Sequence, residues 1–277
     1  MNQIRTCPVC MHHCRLAPGQ LGRCHARKNE QGRIISVNYG KVTALALDPI
    51  EKKPLRQFYP GSKILSVGSF GCNLSCPFCQ NHEISMHGEQ AADHVEMTPL
   101  QLADLAEEMQ KRGNIGVAYT YNEPLIGHEF VRDCAAIVHA RGMKNVVVTN
   151  GSVQLEILEA LLPDIDAMNI DLKGFTAAHY QRLGGDLHTV QEFIARAARS
   201  THVEVTTLIV PGENDTEEEM AAEAEWLASI DPQIPLHVTR FFPHYRMQER
   251  AATDIALIYR LREVASAYLP HVYVGNC

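Results

Sequence analysis

The sequence predicts an α/β protein in which parallel strands joined by helical crossovers form a barrel behind a small cysteine-rich N-terminal module. Three observations carry this. Beyond about residue 60, short β-branched and apolar runs alternate with capped amphipathic segments, the rhythm of β/α units. Residues 1–60 break that rhythm, which divides the chain into a module and linker (1–60) and a barrel (61–277). Seven of the nine cysteines fall in two tight groups, Cys7, Cys10, Cys14 and Cys24, then Cys72, Cys76 and Cys79. A doubly wound sheet competes with the barrel, since periodicity does not reveal strand order.

Within the first 60 residues a short strand pair is expected around 33–39, then a linker punctuated by Pro49, Pro54 and Pro60. The first barrel strand is 63–67. A helix starts at Thr98, where Thr98-Pro99-Leu100-Gln101 combines an N-cap, Pro at the first position and a capping-box Gln. Strand 115–119, helix 130–141 stopped by Gly142, and strand 145–149 ended by Asn150-Gly151 follow. Helix 155–162, strand 167–172, helix 190–200 and strand 203–209 continue the alternation. Thr216-Glu217-Glu218-Glu219 is a second capping box, and strand 236–239, helix 253–268 and strand 272–274 complete the chain.

Composition excludes several classes. The 277 residues are 45% hydrophobic and 21% charged, which argues against a disordered or fibrous chain. A net charge of -7 gives no general attraction to nucleic acid or anionic membrane. The longest apolar runs, such as 146–148 and 208–210, fall far short of a membrane span, and the start at Met1 has no signal-peptide core. A cytoplasmic protein is expected, with thiols kept reduced for metal ligation.

The group at Cys72, Cys76 and Cys79 follows the first barrel strand, at the end where a barrel carries its chemistry. Chance would produce this C-x3-C-x2-C spacing about 0.01 times in such a chain. Three thiolates leave one iron of a [4Fe-4S] cluster without a protein ligand, open to chelation by the amino and carboxylate groups of S-adenosylmethionine. The competing reading is structural zinc with His82 as fourth ligand. At the N-terminus, Cys7, Cys10, Cys14 and Cys24 supply four ligands, a filled site for Zn2+ or an auxiliary Fe–S cluster, with zinc preferred and an unmetallated run the third option. Cys134 reads as a core thiol and Cys277 carries no role.

The chain resembles radical S-adenosylmethionine enzymes of the pyruvate formate-lyase activating enzyme-like group, and within it the AmmeMemoRadiSam-system subfamily. The matching motifs are DPIEKKPL (48–55), FGCNLSCPFCQN (70–81), YTYNEP (119–124), VTNG (148–151), MNIDLK (168–173), VEVTTLIVPGEND (203–215) and HVTRFFPHYRM (237–247). The resemblance implies a partial (β/α)6 TIM-like barrel, a radical SAM core in which one electron from a flavodoxin- or ferredoxin-like donor generates a 5'-deoxyadenosyl radical. It also implies site residues. Tyr121, Asn122 and Glu123 stand where relatives often carry Gly-Gly-Glu, an acceptor patch for the ammonium, so the two replaced glycines put the backbone approach in question. Thr149, Asn150 and Asp171 match the polar pocket near the ribose, Lys173 the carboxylate-binding cation, and Phe78 with the 242–245 segment, including Tyr245, the adenine contacts.

Structural readings stand beside these: Asn150 as the turn residue of Asn-Gly, Asp171 and Lys173 as an ordinary ion pair, and His82, His87 and His244 as structural or exposed. Activating-enzyme resemblance implies a protein substrate bearing a glycyl residue, and subfamily resemblance a multi-component system with a small-molecule or cofactor substrate. A non-catalytic electron-transfer or metal-binding adaptor is the rival of another class. Little chain is expected after the last strand to act as a lid, so a macromolecular partner is expected to close the cavity and shield the radical.

Overall fold

The computed structural model describes residues 3–277. Met1 and Asn2, where the leaderless start was read, lie outside the described residues. In order, the elements are β1 (Arg5–Thr6), β2 (Arg15–Leu16), β3 (Arg27–Glu30), β4 (Arg33–Ser36), β5 (Lys41–Val42), β6 (Ala44–Pro49), β7 (Lys63–Gly68), α1 (His82–Ser85), β8 (Val95–Glu96), α2 (Pro99–Glu108) and β9 (Asn114–Tyr119). Then come α3 (His128–Ala140), β10 (Lys144–Thr149), α4 (Leu155–Leu161), β11 (Ala167–Asp171), α5 (Ala177–Arg182), α6 (Leu187–Ala197) and β12 (His202–Ile209). The chain finishes with α7 (Glu217–Ile230), β13 (Leu236–Arg240), α8 (Ile255–Ser266) and β14 (Val272–Gly275).

The main sheet runs β14-β13-β12-β11-β10-β9-β7-β6. From β7 to β14 neighbouring strands are parallel, and only β6 is antiparallel, on β7. This sequential order is that of a singly wound sheet. A doubly wound sheet would reverse direction at its middle. β6 and β14 are the two edges of a mixed sheet consistent with a partial barrel. The largest apolar cluster joins sheet residues such as Val117, Val147 and Val205 to the inner faces of α2, α3, α6 and α7, through Leu102, Val131, Phe193 and Leu227.

Where the elements depart from expectation, local chemistry explains it. The strand pair lies earlier than 33–39: β3 and β4 form a hairpin about Gln31-Gly32, both at positive φ (50° and 87°), the backbone a tight hairpin turn needs. Residues 44–49, read as the approach to a linker, form β6 and pair with β7 over six registered positions, so the sheet runs across the division drawn at 60/61. α6 begins at Leu187 because the Asp186 carboxylate accepts from Thr189 N (2.9 Å). α5, not anticipated, is a short helix capped by Thr176. Thr98 and Gln101 complete their capping box, but at Thr216 only half forms, because the Glu219 carboxylate instead accepts from Phe175 N at 2.6 Å.

The proline-punctuated stretch after β6 closes one end of the sheet. Ile50, Leu55 and Phe58 pack on Ile64, Ala118, Val146 and Ala167. Glu204 on β12 accepts from the backbone N–H groups of Arg56 (2.9 Å) and Gln57 (2.8 Å), and Asn169 on β11 donates to Pro54 O (2.9 Å). This plug covers the N-terminal ends of the strands and leaves their C-terminal ends to the site. No described helix is long and apolar enough to cross a membrane.

Candidate functional site

A cavity of about 250 Å3 lies at the C-terminal ends of the parallel strands. The loop after β7 brings Cys72, Cys76, Cys79 and Phe78 into its wall; β9, β10 and β11 end there with Tyr121, Asn122, Glu123, Thr149, Asn150, Asp171 and Lys173. Every site residue expected from the sequence for the cluster and its ligand lines this one cavity except Tyr245. That residue lines a neighbouring cavity and stacks on His82, with ring centroids 4.4 Å apart. Phe242 is exposed beneath the Arg240 guanidinium, so the 242–245 segment puts no aromatic ring into the cavity wall.

The cysteine loop is held by side-chain amides. Asn122 Oδ1 accepts from Ser69 N (3.0 Å), and its Nδ2 donates to Phe70 O and Gly71 O (3.2 and 3.1 Å), so this amide is engaged by the loop. Asn150 donates to Asn73 Oδ1 (2.9 Å) and to Cys72 Sγ (3.6 Å) while Oδ1 accepts from Ser152 N. Asn150 is thus both the turn residue and a contact of the thiol. Gly71 has φ 88°, and a Cβ there would collide with Cys24 O. The residue before Cys72 has to be glycine because the N-terminal module packs directly on it.

Tyr121 answers the question raised by the missing glycines. Its φ is 75°, so the backbone keeps the left-handed conformation glycine takes freely, although a tyrosine occupies it. The hydroxyl donates to Asp48 Oδ2 (2.9 Å), and the Lys53 ammonium sits 4.7 Å from the ring centroid while pairing with the same carboxylate at 2.9 Å. Burial, then the Asp48 bond, push the Tyr121 phenol up to about 12. Asp48 and Lys53 belong to the DPIEKKPL motif, whose polar spacing is visible in the sequence but whose partner, Tyr121, is not.

Glu123 is 2% exposed. Its Oε1 accepts from Leu125 N (2.9 Å) and Thr149 Oγ1 (2.8 Å), and Oε2 from Asn150 N (2.8 Å). Burial nevertheless pushes its carboxyl up to about 7, because the neutral donors do not offset desolvation and the Asp171 charge adds to it. Asp171 and Lys173 do form an ion pair, at 2.9 Å, inside the cavity wall. The pairing with Asp171 and with Cys76 raises the Lys173 ammonium despite burial, so it stays charged.

Burial raises all three loop thiols, Cys76 to about 11, and Lys173 opposes this at Cys76 and Cys79. A cationic metal centre would relieve the same penalty, and three such thiols in one wall suit a [4Fe-4S] cluster, whose ligands bind different irons and need not meet at one point. Among the described residues no group of three or more His, Cys, Asp or Glu side chains stands in an arrangement that would hold a metal ion. The cysteines are therefore donor sets, not formed centres. At the N-terminal group, burial pushes Cys10 up to about 12, with charge contributions from Cys24, Cys7 and Cys14 that mark the four as neighbours. Cys7 N donates to Cys14 O (2.9 Å) and His13 N to Cys10 O (3.1 Å). Cys134 is fully buried in α3, as expected of a core thiol.

The model of the Radical SAM superfamily matches residues 66–227. An uncharacterized protein of Methanocaldococcus jannaschii is 37% identical over 278 residues, covering 99% of this chain and 82% of its own. Pyruvate formate-lyase 1-activating enzyme of Escherichia coli K12 is 28% identical over 164 residues, 57% of this chain and 65% of that one, so under two thirds of its length is spanned. Among solved structures, a domain of pyruvate-formate lyase-activating enzyme from Bacteroides vulgatus superposes with TM-score 0.51 at 21% identity, over 58% of this chain and 99% of that one. SuiB of Streptococcus suis superposes with TM-score 0.57 at 13% identity, over 76% and 48%. At these identities the two structures speak for the fold.

Proposed function

The chain belongs to the radical SAM superfamily, and on that premise we propose that Cys72, Cys76 and Cys79 hold a [4Fe-4S] cluster at which S-adenosylmethionine is cleaved for hydrogen abstraction from a protein substrate. Held by these thiols, such a cluster would supply the one electron that breaks the sulfonium C5'–S bond to methionine and a 5'-deoxyadenosyl radical, which would take a hydrogen atom from the substrate.

The observation that carries this reading is Glu123. A buried carboxylate with three neutral donors and, among the described residues, no paired cation shares a cavity with three thiols, and an ammonium group from a ligand is the partner it lacks. Lys173, held by Asp171, offers the matching cation for a carboxylate. Thr149 and Asn150 fix Glu123 against β10, and Asn150 also orients Cys72. Phe78 supplies an apolar wall. A pure electron carrier has no use for such a cavity, which sets the adaptor reading aside.

Likeness to the activating enzyme favours a protein substrate over the small-molecule or cofactor substrate of an AmmeMemoRadiSam-like multi-component system, with a flavodoxin- or ferredoxin-like reductant in a reducing cytoplasm. Cys7, Cys10, Cys14 and Cys24 are proposed to hold Zn2+ or an auxiliary cluster. Replacing Cys10 and Cys14 with Ser is expected to remove one metal equivalent and leave the other cluster, read by elemental analysis: zinc loss supports Zn2+, iron loss the auxiliary cluster, and no metal loss contradicts both. The function itself is tested by substituting Cys72, Cys76 and Cys79 together with Ala and measuring 5'-deoxyadenosine under anaerobic reduction. Formation should be abolished; formation at the parental rate contradicts the assignment.

A further inference from the structure

Beside the thiol-bearing cavity lies another of about 300 Å3 whose wall includes Cys72 but not Glu123, Asp171 or Lys173. Its side chains are conspicuously basic: Arg23 and His25 on either side of Cys24, His87 beyond α1, and Arg246 after β13, all exposed, with no carboxylate in the wall. In a chain of net charge -7 this is a local reversal of sign. Among the described residues neither Arg23 nor Arg246 forms an ion pair, whereas Arg27 pairs with Glu129, and Arg182 and Arg250 with Glu213.

Both arginines are tied to the cysteine loop. Arg246 N donates to Pro77 O (2.9 Å), between Cys76 and Phe78, and its guanidinium lies 4.9 Å from the Tyr245 ring. Arg23 sits on the turn closed by His25 N to Gly22 O (3.0 Å), and that turn presents Cys24 O to Gly71. Unpaired like charges converging on one opening attract an anionic partner over a distance comparable with the Debye length.

The proposed reaction consumes an electron, and S-adenosylmethionine and substrate would fill the Glu123 cavity. The electron therefore needs another face that reaches a cluster ligand, and this second cavity reaches Cys72. Its cations are exposed, and the buried polar side chains of the same wall are committed elsewhere, Asn73 to Ser152 O and Asn150, and Ser85 to the Cys79 thiol, which is the character of a steering surface for a protein and not of a pocket built around a small anion. We propose that Arg23, His25, His87 and Arg246 form the docking surface of an acidic one-electron carrier protein of the flavodoxin kind, which delivers its electron on the Cys72 side. The proposal rests on the radical SAM reading above and names the entry route of its reductant.

The test uses reconstituted holoenzyme and a flavodoxin as probe, with flavin fluorescence reporting binding. The doubly reversed variant Arg23→Glu with Arg246→Glu is expected to bind about tenfold or more weakly and with a flatter salt dependence. The neutral pair Arg23→Gln with Arg246→Gln should fall between, with an unchanged melting temperature that excludes misfolding as the cause. Cleavage driven by a small chemical reductant should be unaffected. Unchanged affinity and salt slope in the reversed variant overturn the proposal, as does loss of S-adenosylmethionine binding with flavodoxin binding retained. Absence of chemically driven cleavage in the parental protein counts against the radical SAM reading, and the binding measurement still decides the docking surface.

Discussion

Two glutamates buried at opposite ends of the same sheet meet opposite fates. Glu204, near the start of β12, accepts from His202 (3.0 Å), His237 (2.6 Å) and the backbone N–H groups of Arg56 and Gln57; these bonds outweigh burial and bring its carboxyl down to about 2. Glu123, past the end of β9, has hydrogen-bond donors but no ionisable partner of opposite charge and is pushed up to about 7. One end of the barrel satisfies its charge internally and is closed by the plug. The other leaves a charge requirement open in a cavity lined by thiols, which is how a ligand site differs from a structural one. Glu223 on α7 is also raised, to about 8, but it bonds Thr207 between helix and sheet and lines neither of the cavities described above. An elevated carboxyl marks a site only together with an opening.

The contrast can be broken most forcefully at the closed end. Glu204→Ala leaves two histidines and two loop N–H groups without their acceptor, and is expected to cost about 3–5 kcal/mol of folding stability, measured by denaturant unfolding, while the folded fraction still binds S-adenosylmethionine. Because the Glu204 carboxyl is depressed in the folded state, its contribution is complete above the unfolded value near 4.5 and is lost as pH falls toward about 2. An acid unfolding limb that shifts little in the variant would remove Glu204 from this account.

At the junction of module and loop, Gly71→Ala should cost about 1–3 kcal/mol through its left-handed backbone, plus displacement of Cys24. The sharper reading is site damage: iron retention after reconstitution should fall more than stability does. Equal stability and iron content would show that the contact of the module with the loop is incidental.

The smallest effect is a pH dependence at the open end. Glu123 holds its proton in the folded state above pH 4.5, so it detracts from stability as pH rises from there toward about 7. A ligand ammonium requires the ionised form, so S-adenosylmethionine affinity should rise with pH up to about 7, by up to about tenfold per unit, or 1.4 kcal/mol. A flat profile from pH 5.5 to 8, measured by equilibrium binding, would take the ammonium away from Glu123.

Much of this was legible in the sequence because it is local. All seven parallel strands lie where β-branched runs put them, and the cysteine loop, Glu123, Asn150, Asp171 and Lys173 converge because each follows a strand end. What escaped depends on distant partners. Strand β6 looks like linker until β7 gives its backbone something to pair with. Asp48 and Lys53 form a polar motif whose partner, Tyr121, lies far along the chain. The resemblance implies an adenine contact for Tyr245, whereas the turn at φ 50° directs it onto His82. The four basic residues around Cys72 come from three separate segments, so no local pattern announces them.

The central claim is that three thiols beside Glu123 hold a cluster with one iron open to S-adenosylmethionine. Its most direct test is the iron content and electron paramagnetic resonance spectrum of the anaerobically purified, reduced protein, recorded before and after addition of S-adenosylmethionine. The account predicts a [4Fe-4S] signal that changes on addition and is missing when Cys72, Cys76 and Cys79 are replaced. A signal that S-adenosylmethionine leaves unchanged, or one that survives the triple substitution with its response intact, would contradict it.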